Sequence, residues 1–201
     1  AHTIDEIQSF VELRDSMVKK YKLNYKPHIH VDSVIGWVWL VFSGYDFEQN
    51  NLQIDMNALE AIKIQYEKIR QINLADSWGV DFHKGVGCCP LDCSIFMCNN
   101  KNDLIALSKT LGATTSTHQL AQEFSFLNPS DYTLETSRTG AAPLAALASL
   151  HTLGLDGYRR NLANLIEFNI RFREIINSSF DISVFNNDSL GYVSMLRLYP
   201  P

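Results

Sequence analysis

A strand–helix–strand succession in the first half of the chain constrains the fold most. Residues 28–33, HIHVDS, alternate apolar and polar side chains as a short strand does. Residues 55–72, DMNALEAIKIQYEKIRQI, place apolar side chains at helical spacing. Residues 77–82, SWGVDF, return to strand character, and residues 93–99, CSIFMCN, read as a further, buried strand. Strands and helices that alternate in this way layer as α/β with a largely parallel sheet. That is the expected class for the first half.

Flanking segments fill in the rest. Thr3 followed by Glu6 is a capping-box pattern. Ile4, Ile7, Phe10, Val11, Met17, Val18 and Tyr21 then recur at helical spacing, so residues 4–21 should form an amphipathic helix. Helix signals return at 102–109, 139–153 and 157–177, with Leu144, Leu147, Leu150 and Leu153 as core positions. Strand patterns follow at 181–186 and 192–198, the opening of an α+β unit. LGLDG at 153–157 separates two helices, and the domain boundary is placed in the second, near residue 165. The chain opens on AHTIDEIQSF, already helical in pattern, and closes on MLRLYPP straight after a strand. It reads as a piece of a longer polypeptide.

Composition removes several classes of function. The 201 residues carry a formal charge of −5 and no Lys/Arg block, which argues against nucleic-acid or anionic-membrane partners. The longest apolar run, VIGWVWLVF at 34–42, falls short of the roughly 18 residues a membrane span needs and has the length of a buried segment. Residues 1–30 carry charges throughout, unlike a secretory leader. All four cysteines (Cys88, Cys89, Cys93 and Cys98) fall within eleven residues and form no C-x-x-C pair. Reduced, mostly buried thiols in a cytoplasmic protein are expected, with neither a zinc site nor a disulfide framework.

Chemistry enters with two strand tips. Asp32 ends one strand pattern and Lys84 follows another about fifty residues later. In a parallel sheet the C-terminal ends of the strands converge on one rim, where such sheets bind ligands. An acid and an amine on that rim are what pyridoxal phosphate requires: the lysine bonds the aldehyde, and the acid keeps the pyridine nitrogen protonated. Taken singly, each residue has an ordinary reading. Lys84 would be a solvated cation, Asp32 a turn or cap residue, and His83 a surface or core histidine.

Three ordered segments change that. HVDS at 30–33 resembles the H-V-D-A-A segment of the pyridoxal-phosphate-dependent group II decarboxylases, the family of glutamate, aromatic amino acid and tyrosine decarboxylases. DSWGVDFHK at 76–84 resembles their D-S-x-x-x-D-x-H-K lysine motif, and TSRTGAAPLAALASLHTLGLDGYRR at 136–160 their S-R-x-G segment with the helices after it. The resemblance implies an aspartate-aminotransferase-like fold of type I, with a seven-stranded, mainly parallel sheet, a smaller C-terminal domain and an obligate homodimer. Residues 1–165 would be the second half of the large cofactor-binding domain and residues 166–201 the start of the small one.

The same resemblance implies roles. Asp32 would pair with the pyridinium nitrogen and Val34 would pack under the ring. Lys84 would be the Schiff-base lysine. His83 would hydrogen-bond the cofactor phosphate, helped by Ser77 or Asp81 near the same turn, while His30 supports Asp32. Ser137 and Arg138 would sit on a loop reaching the phosphate region. The implied activity is amino acid decarboxylation. A lyase or amine-oxidising aldehyde synthase of the same fold, or a catalytically silent homologue, is the alternative.

Departures from the pattern matter as well. The stacking His and the phosphate-binding turn of the family normally lie upstream of these segments. The mobile-loop tyrosine that protonates the carbanion has Phe126 or Phe124 as its counterpart, with Tyr132 a few residues on. A phenyl ring cannot deliver a proton, and in the family a Phe there goes with oxidative deamination. Phe82 replaces a common Pro, and Trp37 and Trp39 either narrow the pocket or fill the core.

Overall fold

The structure is a computed structural model that describes residues 4–103, 139–178 and 181–198. Helix α1 (Ile7–Tyr21) leads into strand β1 (His30–Asp32) and a 3-10 helix (Gly36–Phe42). Helix α2 (Met56–Ile69), strand β2 (Ser77–Asp81) and strand β3 (Ser94–Cys98) follow. Helix α3 (Ala141–Asn177) and the short strands β4 (Ile182–Val184) and β5 (Leu196–Leu198) complete the described chain.

The expected crossover is present: β1 and β2 pair in parallel across α2, with His30 opposite Ser77, Val31 opposite Trp78 and Asp32 opposite Gly79. β3 runs antiparallel to β2, from Ser77 opposite Cys98 to Asp81 opposite Ser94. The expectation of a buried third strand is corrected. Among the described residues β3 is an edge, and Ile95 and Phe96 are exposed.

Asp55 starts α2 by accepting the amides of Asn57 at 2.9 Å and Ala58 at 3.2 Å, satisfying two orphan donors of the first turn. Its inward face, Ala58, Leu59, Ala61, Ile62 and Ile69, packs on the 3-10 helix and on Tyr158, Leu162, Ala163 and Ile166 of α3. Trp37 and Trp39 are both buried in that core, so they fill it. Arg159 of α3 closes the 3-10 helix by donating from Nε to the Val41 carbonyl at 2.7 Å and from Nη2 to the Ser43 carbonyl at 2.8 Å.

The flanking helices follow the sequence in part. Helix α1 begins at Ile7, with Glu6 as an N-cap that makes no side-chain capping bond, and Thr3 lies outside the described residues. Only part of its apolar stripe is covered, because Phe10, Met17 and Tyr21 are exposed. The buried Arg14 instead anchors α1, donating to Asp76 at 2.7 Å. The two helices expected at 139–153 and 157–177 meet at a break inside α3, as LGLDG implied: Gly154 (φ 61°) is non-helical, a left-handed geometry that glycine adopts without a Cβ penalty. Leu144 and Leu147 are exposed, whereas Leu150 and Leu153 reach the core. Of the helix expected at 102–109, residues 104–109 lie outside the described residues.

Candidate active site

Side chains alternate along a strand, so the ladder register decides which groups share a face. His30 and Asp32 lie with Ser77, Gly79 and Asp81, and across β3 with Ser94 and Phe96. Contacts agree with this. His30 Nδ1 is 2.8 Å from Ser77 Oγ, and the His30 ring stacks on Phe96 with centroids 5.7 Å apart. Asp32 and Asp81 therefore project from one face near the C-terminal ends of adjacent parallel strands. Strand spacing and rise put their Cα atoms roughly 8 Å apart.

The turn after β1 fixes Asp32. Its Oδ1 accepts the Val34 amide at 3.3 Å, and the buried Ser33 donates from Oγ to the Gly79 carbonyl at 2.6 Å. Val34 lies over Gly79, where an added Cβ would be 3.6 Å from Val34 Cγ1. A cavity of about 570 Å³ opens beside this turn, walled by Ile4, Ile7, Phe10, His30, Asp32 and Val34. Lys84 is not among its walls.

Lys84 lies three residues past β2. Its amide donates to the Asp81 carbonyl at 3.1 Å, and its Nζ is 2.5 Å from Asp81 Oδ2. The amine is thus held on the face that carries Asp32. His83 Nδ1 accepts the Cys93 amide at 3.1 Å, so in the neutral ring the proton sits on Nε2, 3.9 Å from Asp81 Oδ2. Burial pushes the Asp81 carboxyl up. Hydrogen bonds from Lys84 and Ser94, with the charges of Lys84 and His83, outweigh it and leave the group below the usual carboxylate value.

Ser77 is placed differently from expectation. It starts β2, roughly 13 Å along the strand from Asp81, and its hydroxyl lies 2.8 Å from both His28 Nε2 and His30 Nδ1. It does not share the turn of His83. His30 meets Ser77 and Phe96, which are its recorded partners in place of Asp32. Ser137, Arg138, Phe124, Phe126 and Tyr132 lie outside the described residues. The four cysteines are free thiols, with Cys89 and Cys93 buried and Cys88 and Cys98 half-buried. Among the described residues no group of three His, Cys, Asp or Glu side chains could hold a metal ion, and no helix is long and apolar enough to cross a membrane.

Solved structures share this architecture. Tryptophan decarboxylase from Catharanthus roseus, in complex with L-tryptophan, superposes with a TM-score of 0.60 at 16% identity, over 98% of this chain and 32% of its own. Mouse CSAD in apo form gives 0.57 at 13% identity, over 95% of this chain and 33% of its own. The chain has the fold of the group II decarboxylases. A third similar structure is 4-hydroxyphenylacetaldehyde synthase from Rhodiola rosea, with a TM-score of 0.52 at 16% identity, over 94% of this chain and 40% of its own. The chain thus spans about a third of the first two proteins, a part of the aspartate-aminotransferase-like, type I architecture. No protein-family model and no curated protein matches the sequence.

Within the decarboxylase fold, the lysine-bearing loop is pinned at one end by Trp37 and at the other by Ser149 and Tyr158, which sequence reasoning did not single out. Trp37 Nε1 donates to the Asp81 carbonyl at 2.9 Å. Ser149 Oγ donates to the Cys88 carbonyl at 2.8 Å, so the 2.6 Å contact between Ser149 and Tyr158 has the phenol as donor. Gly85, at φ 83°, passes so close to Val38 that a Cβ would overlap Val38 Cγ1. One signal for the Lys84 partner was present in the sequence, the acid three residues before the lysine in VDFHK.

Proposed function

We propose that the chain is part of a pyridoxal-phosphate-dependent amino acid decarboxylase that works as a homodimer in the cytoplasm. Residues 1–165 belong to its cofactor-binding domain, and residues 166–201 open a smaller C-terminal one. One relationship carries the reading. Asp32 and the Asp81–Lys84 pair occupy one face of the sheet at the C-terminal ends of adjacent parallel strands, where open α/β sheets take ligands.

The donor set fits the cofactor, since a carboxylate matches a protonated ring nitrogen and an amine matches an aldehyde. When bound, pyridoxal phosphate supplies that aldehyde and a ring able to take up the electron pair left as carbon dioxide departs. Asp32 would hold a proton on the ring nitrogen through a charge-assisted hydrogen bond. Lys84 would provide the amine that holds the cofactor aldehyde. Val34 would pack against the ring, and His83 would donate its Nε2–H to the phosphate. Ser137 and Arg138, assigned to the phosphate by sequence alone, would add charge and a hydroxyl.

A second reading, an amine-oxidising aldehyde synthase, has its own support in the third structural neighbour and in Phe126. Products separate the two: carbon dioxide with an amine for the first, and for the second, with dioxygen as oxidant, carbon dioxide with an aldehyde, ammonia and peroxide.

Trapping tests the shared premise. The protein is incubated with pyridoxal phosphate, reduced with borohydride and mapped by peptide mass. The label is expected on Lys84 and absent from Lys84→Ala. A label spread evenly over the surface lysines contradicts the assignment.

A further inference from the structure

The Lys84 amine is already engaged. Its Nζ meets Asp81 Oδ2 at 2.5 Å, and the Asp81 side chain is 10% exposed while that of Lys84 is 44% exposed. The acid is fixed from three sides: its carbonyl by Trp37, its strand by the ladder to Ser94, and its carboxylate by the Lys84 amine with the His83 ring beyond. A carboxylate so placed is a poor neighbour for a phosphate and a good one for an ammonium.

We infer that Asp81 is a latch on Lys84, a carboxylate that ties down the amine on the Asp32 face of the sheet and must release it before Lys84 can bond an aldehyde. The inference rests on the reading of Lys84 as the reacting amine. It gives Asp81 a role of its own, apart from the phosphate contact expected from sequence. The chemistry needs the release. An ammonium has no lone pair, so the ion pair opens and the proton passes to a buffer base. The free amine then attacks the carbonyl carbon, a carbon–nitrogen double bond forms, and the carbonyl oxygen leaves as water. A carboxylate that stabilises the ammonium opposes the first of these steps. The Asp81 carboxyl lies below its usual value, in keeping with a group that stays an anion beside the amine.

The test uses glycolaldehyde, which has neither ring nor phosphate, with cyanoborohydride to reduce the carbon–nitrogen double bond to a stable secondary amine. Peptide mapping gives the rate at Lys84 relative to the exposed Lys22 and Lys63 in the same sample. For a partly exposed pair, Asp81→Asn should raise that ratio about two- to fivefold, and Asp81→Glu should leave it near the wild-type value. In the unsubstituted protein, raising the salt concentration should also raise the ratio, because screening weakens the pair. An Asp81→Asn ratio equal to or below wild type overturns the latch. If Asp81→Asn does not fold, a wild-type ratio indifferent to salt overturns it instead. Failure of the broader reading would look different, since a protein that does not take pyridoxal phosphate still reports the glycolaldehyde ratio.

Discussion

Trp37 and Asp81 meet across the core: the buried indole donates its Nε1–H to the Asp81 carbonyl at 2.9 Å, at the residue where β2 ends and the lysine turn begins. The ring also leans on Phe82 and Tyr158, with centroids 5.0 and 5.9 Å away. Trp37→Phe retains much of the packing and removes one of that carbonyl's two donors, leaving the Lys84 amide. A loss of about 0.5–1.5 kcal/mol in urea unfolding is expected. A midpoint unchanged from wild type would remove Trp37 from the account of how the turn is held.

Two glycines in the same loop differ in their surroundings. Gly85 (φ 83°) faces Val38, whereas Gly87 (φ 66°) has open space where a Cβ would go. Gly87→Ala should cost about 1 kcal/mol, the price of a left-handed alanine. Gly85→Ala should cost about 2–4 kcal/mol, because steric overlap adds to that strain. Equal losses in chemical denaturation would contradict the close approach.

At the far end of the loop the hydroxyl chain has a direction, Tyr158 to Ser149 to the Cys88 carbonyl. Ser149→Ala strands both neighbours and should destabilise by about 1–3 kcal/mol. Tyr158→Phe deprives only the serine of a donor and should cost less. The order of the two unfolding midpoints checks it, and the reverse order would refute the chain.

Asp81 predicts a pH dependence of known sign. Its folded carboxyl lies below the ordinary value of 3.8. The stability it contributes is therefore complete above the unfolded value and is lost as pH falls through the folded one. Urea midpoints of the unsubstituted protein should drop more steeply from about pH 5 downwards than those of Asp81→Asn. Parallel curves would show that the carboxylate gains nothing from folding.

Much of this was legible in the chain. Helix α2 and strand β2 lie within two or three residues of their expected limits, because a clean apolar period marks one and a short strand-like run marks the other. The segment 36–42 was legible only as buried: with apolar groups on every side, no period distinguishes a 3-10 helix from a strand. Leu144 and Leu147 have the right spacing for a core, but spacing says nothing about whether another element covers that turn. At the site, Asp32 and Lys84 could be placed on one rim from strand ends alone. Their common face needed the register, and the grip of Asp81 on Lys84 needed side-chain coordinates.

The most direct measurement is a crystal structure of the protein grown with pyridoxal phosphate. The account predicts the Asp32 carboxylate about 2.7–2.9 Å from the ring nitrogen, with Lys84 released from Asp81 and bonded to the cofactor on the same side of the sheet. A cofactor seated elsewhere, or Asp32 and Lys84 reaching it from opposite sides, would contradict it.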